Sequence, residues 1–517
     1  MKMNKLFSRP RLTSDIAILV YLSLFKLLLH FFTNHQYGYF RDELYYLECG
    51  ERLDWGYADH SPLIALVAKI TRLLLGESLF AIRSFPAVAG AALVFFTGIM
   101  TRELGGKRFA IILSAVLVLV APYFIAISTI LTMNVFEPLF WMGCAYTAIL
   151  IVKNNNPKLW PWFGLIAGAG LMNKHSMVFF GFALIAGLML TRERKLLFSR
   201  WLLLGGLIAA VVFLPNILWQ VNHDWATLEL LKNAQENQTY HASPVEFLGG
   251  QILLLHPLTL PVWLAGLFYY LFSSEARPYR FLGWTYVILL ILMIVLNGKG
   301  YYLAPVYPIL FAGGSLVVER LVRQPRWGWL KPATITLLIV GGAFIAPMTL
   351  PVLPVETFIK YSTALGLNEG VKTENLSLGK LPQHYADMFG WEEMAAAVAR
   401  VYNSLPEEER AKCAIYASNF GEAGAIDFFG KKYNLPKSIS GHQNYFLWGP
   451  RDYTGEVVIT VGEDLEDVSK SFNRIELAET VPHEYAMPHE NNLPIFICRQ
   501  PKRPLKEIWP DTKCFSC

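Results

Sequence analysis

Asp42 and Glu43 stand side by side in YGYFRDELYYLECGERLDWGYADHSPL, Tyr37 to Leu63, a stretch that also holds Arg41, Arg52, His60, Tyr37, Tyr39, Tyr45, Tyr46 and Trp55. Adjacent carboxylates offer proton removal, metal binding, a helix cap, or an ion pair with Arg41 or Arg52. Tyrosine and tryptophan suit both a lipid–water boundary and the face of a sugar. Further acids and cations lie inside or beside apolar runs: Glu137 in TMNVFEPLFW, Lys174 and His175 in NKHS, His256 in LLLHPL and Lys299 in NGKGYYLAP. Intramembrane acids are rare and usually functional. Gathered on one side of a membrane, these groups supply carboxylates for a proton or a metal and cations for a phosphate, a combination suited to transfer from a lipid-phosphate donor. The bland readings are that the lysines snorkel to headgroups and that His175 and His256 make hydrogen bonds within helix packing.

The elements that must position these residues are membrane spans. Hydrophobic residues make up 54% of 517, charged residues 16%, and the mean hydropathy is +0.36, too apolar for a soluble core. Apolar runs long enough for spanning helices fall at about 14–33, 79–100, 109–128, 131–152, 159–173, 175–191, 201–219, 247–272, 281–297, 301–319 and 331–350. The fold class expected is a mainly α polytopic membrane protein with about eleven or more transmembrane helices.

Every second loop is basic: Lys2, Lys5, Arg9 and Arg11, then Arg102 to Arg108, Lys153 to Lys158, Arg192 to Arg200, Glu275 to Arg280 and Glu319 to Lys331. Basic loops stay cytoplasmic. The N-terminus is therefore expected inside, with the Asp42 stretch, the 220–246 loop and everything after residue 350 outside. The run Pro62 to Gly76 carries Lys69 and Arg72 and is short; it is expected as an interfacial helix, since counting it as a span would invert the basic loops. With no small-x-small cleavage pattern after it, the first apolar run reads as a retained anchor.

Residues 351–517 hold 17 Lys and Arg against 23 Asp and Glu, a net of −6 in a chain of net +5, which leaves +11 for residues 1–350. Two domains are expected: 1–350 in the membrane and 351–517 as an extracytoplasmic α/β domain. In the latter, CAIYASNFGEAGAIDFFGKKYNLP reads as strand, Gly-containing turn and helix, and VVITVG and IFICR as later strands. Of six cysteines, Cys144 falls in a span. Cys49, Cys413, Cys498, Cys514 and Cys517 fall outside, where an oxidising compartment permits a disulfide, and the terminal CFSC has redox or metal-knuckle spacing.

The order of FRDELYY, ADHSPL, TMNVFEPLFW, NKHS and GKGYYLAPVYP resembles the membrane-integral GT-C glycosyltransferases of family 39, which include the protein O-mannosyltransferases and the bacterial transferase that adds aminoarabinose to lipid A. The tail, with NFGEAGAIDFFG and SGHQNYFLWGP, resembles the extracytoplasmic domain of a bacterial branch. The resemblance implies an inverting transfer from a polyprenyl-phosphate-linked sugar to a lipid, glycan or protein hydroxyl at a bacterial inner membrane, with membrane lipids as partners and no nucleic acid. It implies Asp42 as general base, Glu43 as its orienting neighbour, and Glu137 as a residue for the acceptor or, with Asp42, for a divalent cation. Lys174, Lys299 and Tyr302 match phosphate-facing positions, and His60, Tyr46 and His256 complete the donor-side set. Two departures stand out. His60-Ser61-Pro62-Leu63 replaces Lys-Pro-Pro-Leu, exchanging a permanent cation for one that titrates near neutrality. Asp42-Glu43-Leu44-Tyr45-Tyr46 lacks the arginine of Asp-Glu-x-Arg-Tyr, which argues against the lipid A enzyme's own donor and acceptor. For His60, capping of the helix beginning near Pro62 is the alternative.

Two other classes compete. A lipid-linked sugar transporter or flippase would place its acids at mid-membrane and show internal repeats; a non-catalytic lipid-binding subunit would not need the Asp-Glu pair.

Overall fold

The computed structural model describes residues 12–237, 241–367 and 376–516. Lys2, Lys5, Arg9, Arg11 and Cys517 lie outside the described residues. The chain divides into two compact units. One comprises Met1–His35, Arg83–Ile217 and His241–Leu353; the other comprises Gln36–Ile82, Leu218–Tyr240 and Pro354–Cys517. This differs from a single division at residue 350, because the 36–82 stretch finds its packing partners in the tail.

In the first unit, seven helices among the described residues are long and apolar enough to cross a membrane: Asp15–Thr33, Leu79–Glu103, Met133–Asn154, Arg200–Asn222, Arg277–Val295, Gly300–Leu321 and Pro325–Met348, the second beginning and the fourth ending in residues of the other unit. An eighth candidate is the pair Pro244–Leu255 and Pro257–Phe272, bent by 95°. The other three expected runs form shorter apolar helices, Arg108–Val120, Trp160–Asn173 and Met177–Met189. Each of the eleven runs is thus helical, and length separates them. The physical reasons are local. Arg108–Val120 stops where Ala121 turns extended ahead of Pro122, as a residue before proline prefers. The bent pair breaks at His256, whose φ is +75°, followed by Pro257. Caps fix the starts: Ser14 accepts from the Ala17 amide, and Ser243 and Glu246 form a reciprocal capping box. Small residues let helices close in, and a Cβ on Gly314 would lie 1.8 Å from the Val262 carbonyl oxygen.

The second unit is built on a four-stranded sheet in the order β1-β2-β4-β3. β1 (Cys413–Ala417) runs parallel to β2 (Val457–Val461); β4 (Leu493–Pro501) lies antiparallel to both β2 and β3 (Phe472–Val481). All of β2 is buried, as a central strand requires. β3 was not expected from the sequence, because it is an edge strand bearing Arg474, Glu476 and Glu479 whose apolar positions are spaced irregularly around a register shift. The Phe420–Phe429 helix follows β1 and packs on the Arg41–Glu51 helix. A Cβ on Gly421 would lie 2.4 Å from Arg41 Cγ, and one on Gly424 would lie 3.0 Å from the Leu44 carbonyl carbon. The two glycines of NFGEAG, three apart on one face, are what permits this approach. The Leu63–Leu75 helix buries Ile64, Ala65, Ala68 and Thr71 and exposes Leu66, Leu73 and Leu74.

Among the cysteines, Cys49, Cys144, Cys413 and Cys498 are free and buried, and Cys514 is disulfide-bonded.

Candidate functional site

The candidate residues divide between the units. In the second unit, the chain enters the Arg41–Glu51 helix under tight control. The Tyr37 ring meets Tyr385 and Phe389 at 5.1 and 5.3 Å. A Cβ on Gly38 would fall 2.0 Å from the Met388 carbonyl oxygen, and the Arg41 amide donates to the Asp387 carbonyl at 2.9 Å. The helix then starts with two acids whose situations differ. Glu43 is fully buried, and its Oε2 accepts from the Phe40 amide at 2.9 Å, closing the first turn. Asp42 keeps 29% of its side chain exposed, with Arg41 Nε 3.5 Å from Oδ1. Both gain from the helix N-terminus, but Asp42 alone of the two is open to a reactant.

One turn along the same helix, Tyr45 and Tyr46 are buried, and burial raises both hydroxyls well above their ordinary pKa, helped at Tyr46 by the charge of Asp42 and at Tyr45 by that of Asp59. Tyr45 donates to Asp59 Oδ1 at 2.8 Å. His60 is 1% exposed; its ring stacks on Tyr57 at 4.5 Å and meets Tyr46 edge-on at 5.1 Å. Its Nδ1 lies 2.8 Å from the Ser61 carbonyl oxygen. It does not cap the next helix, whose N-cap is Pro62 with no side-chain cap: the imidazole packs into the aromatic cluster instead, with Nε2 3.9 Å from Asp59 Oδ1.

The tail holds this helix from behind. Glu48, buried, receives Lys437 Nζ on both carboxylate oxygens at 2.7 Å. Asp427 accepts from the Ser438 amide at 2.7 Å and lies 3.7 Å from Lys437 and 3.9 Å from Arg451. Burial and the charge of Glu48 push its carboxyl up to about 6. Asn444 Oδ1 accepts the Ala58 amide at 2.7 Å, which fixes the turn before Asp59 and His60.

In the first unit a second group forms from three separated segments. The Met133–Asn154 helix, capped by Thr132, carries Asn134 and Glu137 one turn apart. Lys174 follows the Trp160–Asn173 helix, and its Nζ donates to Asn134 Oδ1 at 2.7 Å and to Glu137 Oε2 at 3.1 Å. Ser176 donates to the other Glu137 oxygen. The Lys174 ammonium also lies 4.6 Å from the centre of the Tyr302 ring. Tyr302 sits in the Gly300–Val306 turn that Lys299 opens, with Lys299 half-buried and its carbonyl accepting the Tyr302 amide at 2.9 Å. Asn134 and Ser176 were not singled out in the sequence, although the i, i+3 spacing of Asn134 and Glu137 and the NKHS run carried the signal.

His256 stands apart from this group. Its Nδ1 accepts from the Leu258 amide at 3.1 Å at the helix break, and Gly341 faces its ring, where a Cβ would sit 2.9 Å from Cε1. His175 pairs with Asn216 at 3.1 Å. Glu137 is committed to Lys174 and Ser176, and among the described residues no three His, Cys, Asp or Glu groups are arranged to hold a metal.

The family model described as dolichyl-phosphate-mannose-protein mannosyltransferase matches residues 59–219, a stretch that includes His60, Glu137 and Lys174. The comparison with curated proteins finds no match. Among solved structures, ArnT from Cupriavidus metallidurans bound to undecaprenyl phosphate aligns with a TM-score of 0.60 at 15% identity, covering 93% of this chain and 97% of that one. The apo state of the same protein gives 0.60 at 14% identity over the same shares. The apo oligosaccharyltransferase of Archaeoglobus fulgidus gives 0.50 at 12%, covering 82% of this chain and 64% of that one. At such identities the likeness establishes the fold: the chain has the GT-C fold, with helices long and apolar enough to cross a membrane, and the mannosyltransferase family model matches one part of it, residues 59–219.

Proposed function

We propose that the protein moves a sugar from a polyprenyl-phosphate carrier to a hydroxyl of an extracytoplasmic acceptor, with inversion at the anomeric carbon. The observation that carries this reading is the Lys174 group. An ammonium has three donors; two are committed to Asn134 and Glu137, which leaves the third for a phosphate oxygen beside Tyr302 and Lys299. ArnT, solved with undecaprenyl phosphate, supports the donor class.

Asp42 takes the proton of the acceptor hydroxyl. The oxygen attacks the anomeric carbon, the carbon–oxygen bond to phosphate breaks, and the electron pair leaves with the polyprenyl phosphate. A positioned base contributes on the order of 10²–10⁴-fold, and Lys174 and Lys299 stabilise the charge that builds on the phosphate. Glu43 sets the helix start, Glu137 and Ser176 aim Lys174, and Tyr46 and His60 form the wall beside Asp42. The N-terminus is cytoplasmic in this reading, and the Asp42 stretch and tail are outside, in a bacterial inner membrane. No step is assigned to a metal or to His256.

The test is turnover of a polyprenyl-phosphate-linked sugar by the purified protein in liposomes that carry a membrane lipid and glycan extract. Release of polyprenyl phosphate, with the sugar appearing on the acceptor in the opposite anomeric configuration, is expected. Movement of the intact donor across the bilayer without cleavage would contradict the reading and favour a transporter.

A further inference from the structure

His442 belongs to the SGHQNYFLWGP motif of the tail, which the reaction outlined above does not use. The side chain is 9% exposed. Its Nδ1 accepts the Phe420 amide at 3.3 Å. A neutral imidazole with one nitrogen accepting must carry its proton on the other, and burial together with the nearby charge of Arg41 keeps this ring neutral, with a pKa lowered to about 3. His442 therefore presents an Nε2–H donor, and that nitrogen is buried without a hydrogen-bond partner among the described residues. His60 offers a second such nitrogen. Its Nδ1 donates to the Ser61 carbonyl oxygen, and its Nε2, 3.9 Å from Asp59 Oδ1, is also buried and without a hydrogen-bond partner among the described residues. Buried donors and acceptors in native proteins are nearly always satisfied; several such atoms occur in this unit, and the two on His442 and His60 are joined by one aromatic cluster, which points to something that satisfies both.

Their placement says what. The Phe420 ring stands 5.1 Å from His442 and 4.9 Å from Tyr45, and Tyr45 stands 5.8 Å from His60. The Arg41 guanidinium lies 5.2 Å from the Phe420 ring centre, with Asp42 beside it. The two imidazoles thus flank a run of aromatic rings next to the Asp42 carboxylate. Two hydrogen-bonding ring nitrogens on either side of aromatic faces match a polyhydroxylated group, whose hydroxyls both give and take hydrogen bonds and whose ring faces stack on aromatics. A lone serine or threonine hydroxyl would satisfy one of the pair.

We propose that His442 is an acceptor-binding residue that donates Nε2–H to an oxygen of a polyhydroxylated acceptor, a glycan or glycolipid headgroup, while His60 Nε2 hydrogen-bonds a second hydroxyl. This rests on the reading of Asp42 as the acceptor-side base, and it brings the tail into the site.

The test needs no turnover, so its failure is separate from failure of the reaction. Full-length protein with ¹⁵N-labelled histidine in lipid nanodiscs is titrated with dodecyl maltoside, a polyhydroxylated headgroup on an alkyl chain, and in parallel with a serine-containing peptide. The His442 Nε2–H signal, assigned by its loss in His442→Phe, should shift and become slower to exchange with maltoside and stay unmoved with the peptide. Followed at His60 Nε2, half-saturation should need roughly tenfold more maltoside in His442→Phe, in line with one lost buried hydrogen bond, and less than threefold more in His442→Gln, which keeps an N–H donor. A His442 signal that ignores maltoside, or responds to the peptide alone, overturns the proposal. So does equal half-saturation in His442→Phe and the parent protein.

Discussion

Two carboxylates one residue apart end in opposite situations: Glu43 is buried and closes the first helical turn, whereas Asp42 is partly open. That split separates a positioning acid from a candidate base. The Glu137–Lys174 pair poses a similar question, whether it is structural or functional, since Glu137 is 2% and Lys174 13% exposed. Removing one partner of a buried pair costs about 3–5 kcal/mol by stranding the other. Lys174→Met should therefore lower thermal stability sharply, and Lys174→Met with Glu137→Gln should recover most of it. Turnover should stay low in both variants, because neither supplies a cation to the carrier phosphate. Recovery of turnover in the double variant would make the pair a structural feature.

The Arg41–Glu51 helix is held at its start by the 385–389 segment and along its back by Gly421, Gly424 and Lys437. Gly38→Ala would drive a Cβ into the Met388 carbonyl. Overpacking of this kind costs about 1–3 kcal/mol, and turnover should fall at least tenfold while donor binding persists; an unchanged rate would show that the helix start is not fixed from this side. Asp427, behind the same helix, gives a pH signature. Its carboxyl, pushed up to about 6 from 3.8, holds its proton to higher pH in the folded than in the unfolded chain. Its contribution to stability is complete below about pH 4 and is lost as pH rises through 6, at up to about 1.4 kcal/mol per pH unit. Thermal unfolding of the full-length protein from pH 4 to 7 should show a shallower fall in Asp427→Asn than in the parent; identical slopes would remove Asp427 as the source.

Across the whole molecule, the sequence is most legible where the signal is long. The eleven apolar runs are legible as helical because each is a long, nearly unbroken apolar stretch, seven of them in helices long enough to cross a membrane, and the strands CAIYA, VVITVG and IFICR are legible because buried strands are continuous apolar runs. Lys174, Tyr302 and Glu137 stand out in the sequence by residue type, but not their mutual contact, since nothing local in a sequence pairs residues 37 and 128 positions apart. The pairing of NFGEAG with FRDELYY was hidden for the same reason, and the edge strand β3 because its alternation is broken. Orientation tests the whole at once. The four cysteines that are free among the described residues are buried, so background labelling should be low. An impermeant thiol reagent is expected to reach Trp55→Cys and Ser469→Cys but not Lys158→Cys; the reverse pattern would invert the topology and remove both Asp42 and the tail from the acceptor side. The central claim, that Asp42 is the base in a transfer from a polyprenyl-phosphate sugar, is tested most directly by Asp42→Asn, which keeps the shape and removes the basicity. Single-turnover transfer measured with saturating donor should fall by about 10²–10⁴-fold while donor binding stays within a few-fold of the parent, and transfer that stays within a few-fold of the parent would contradict the account.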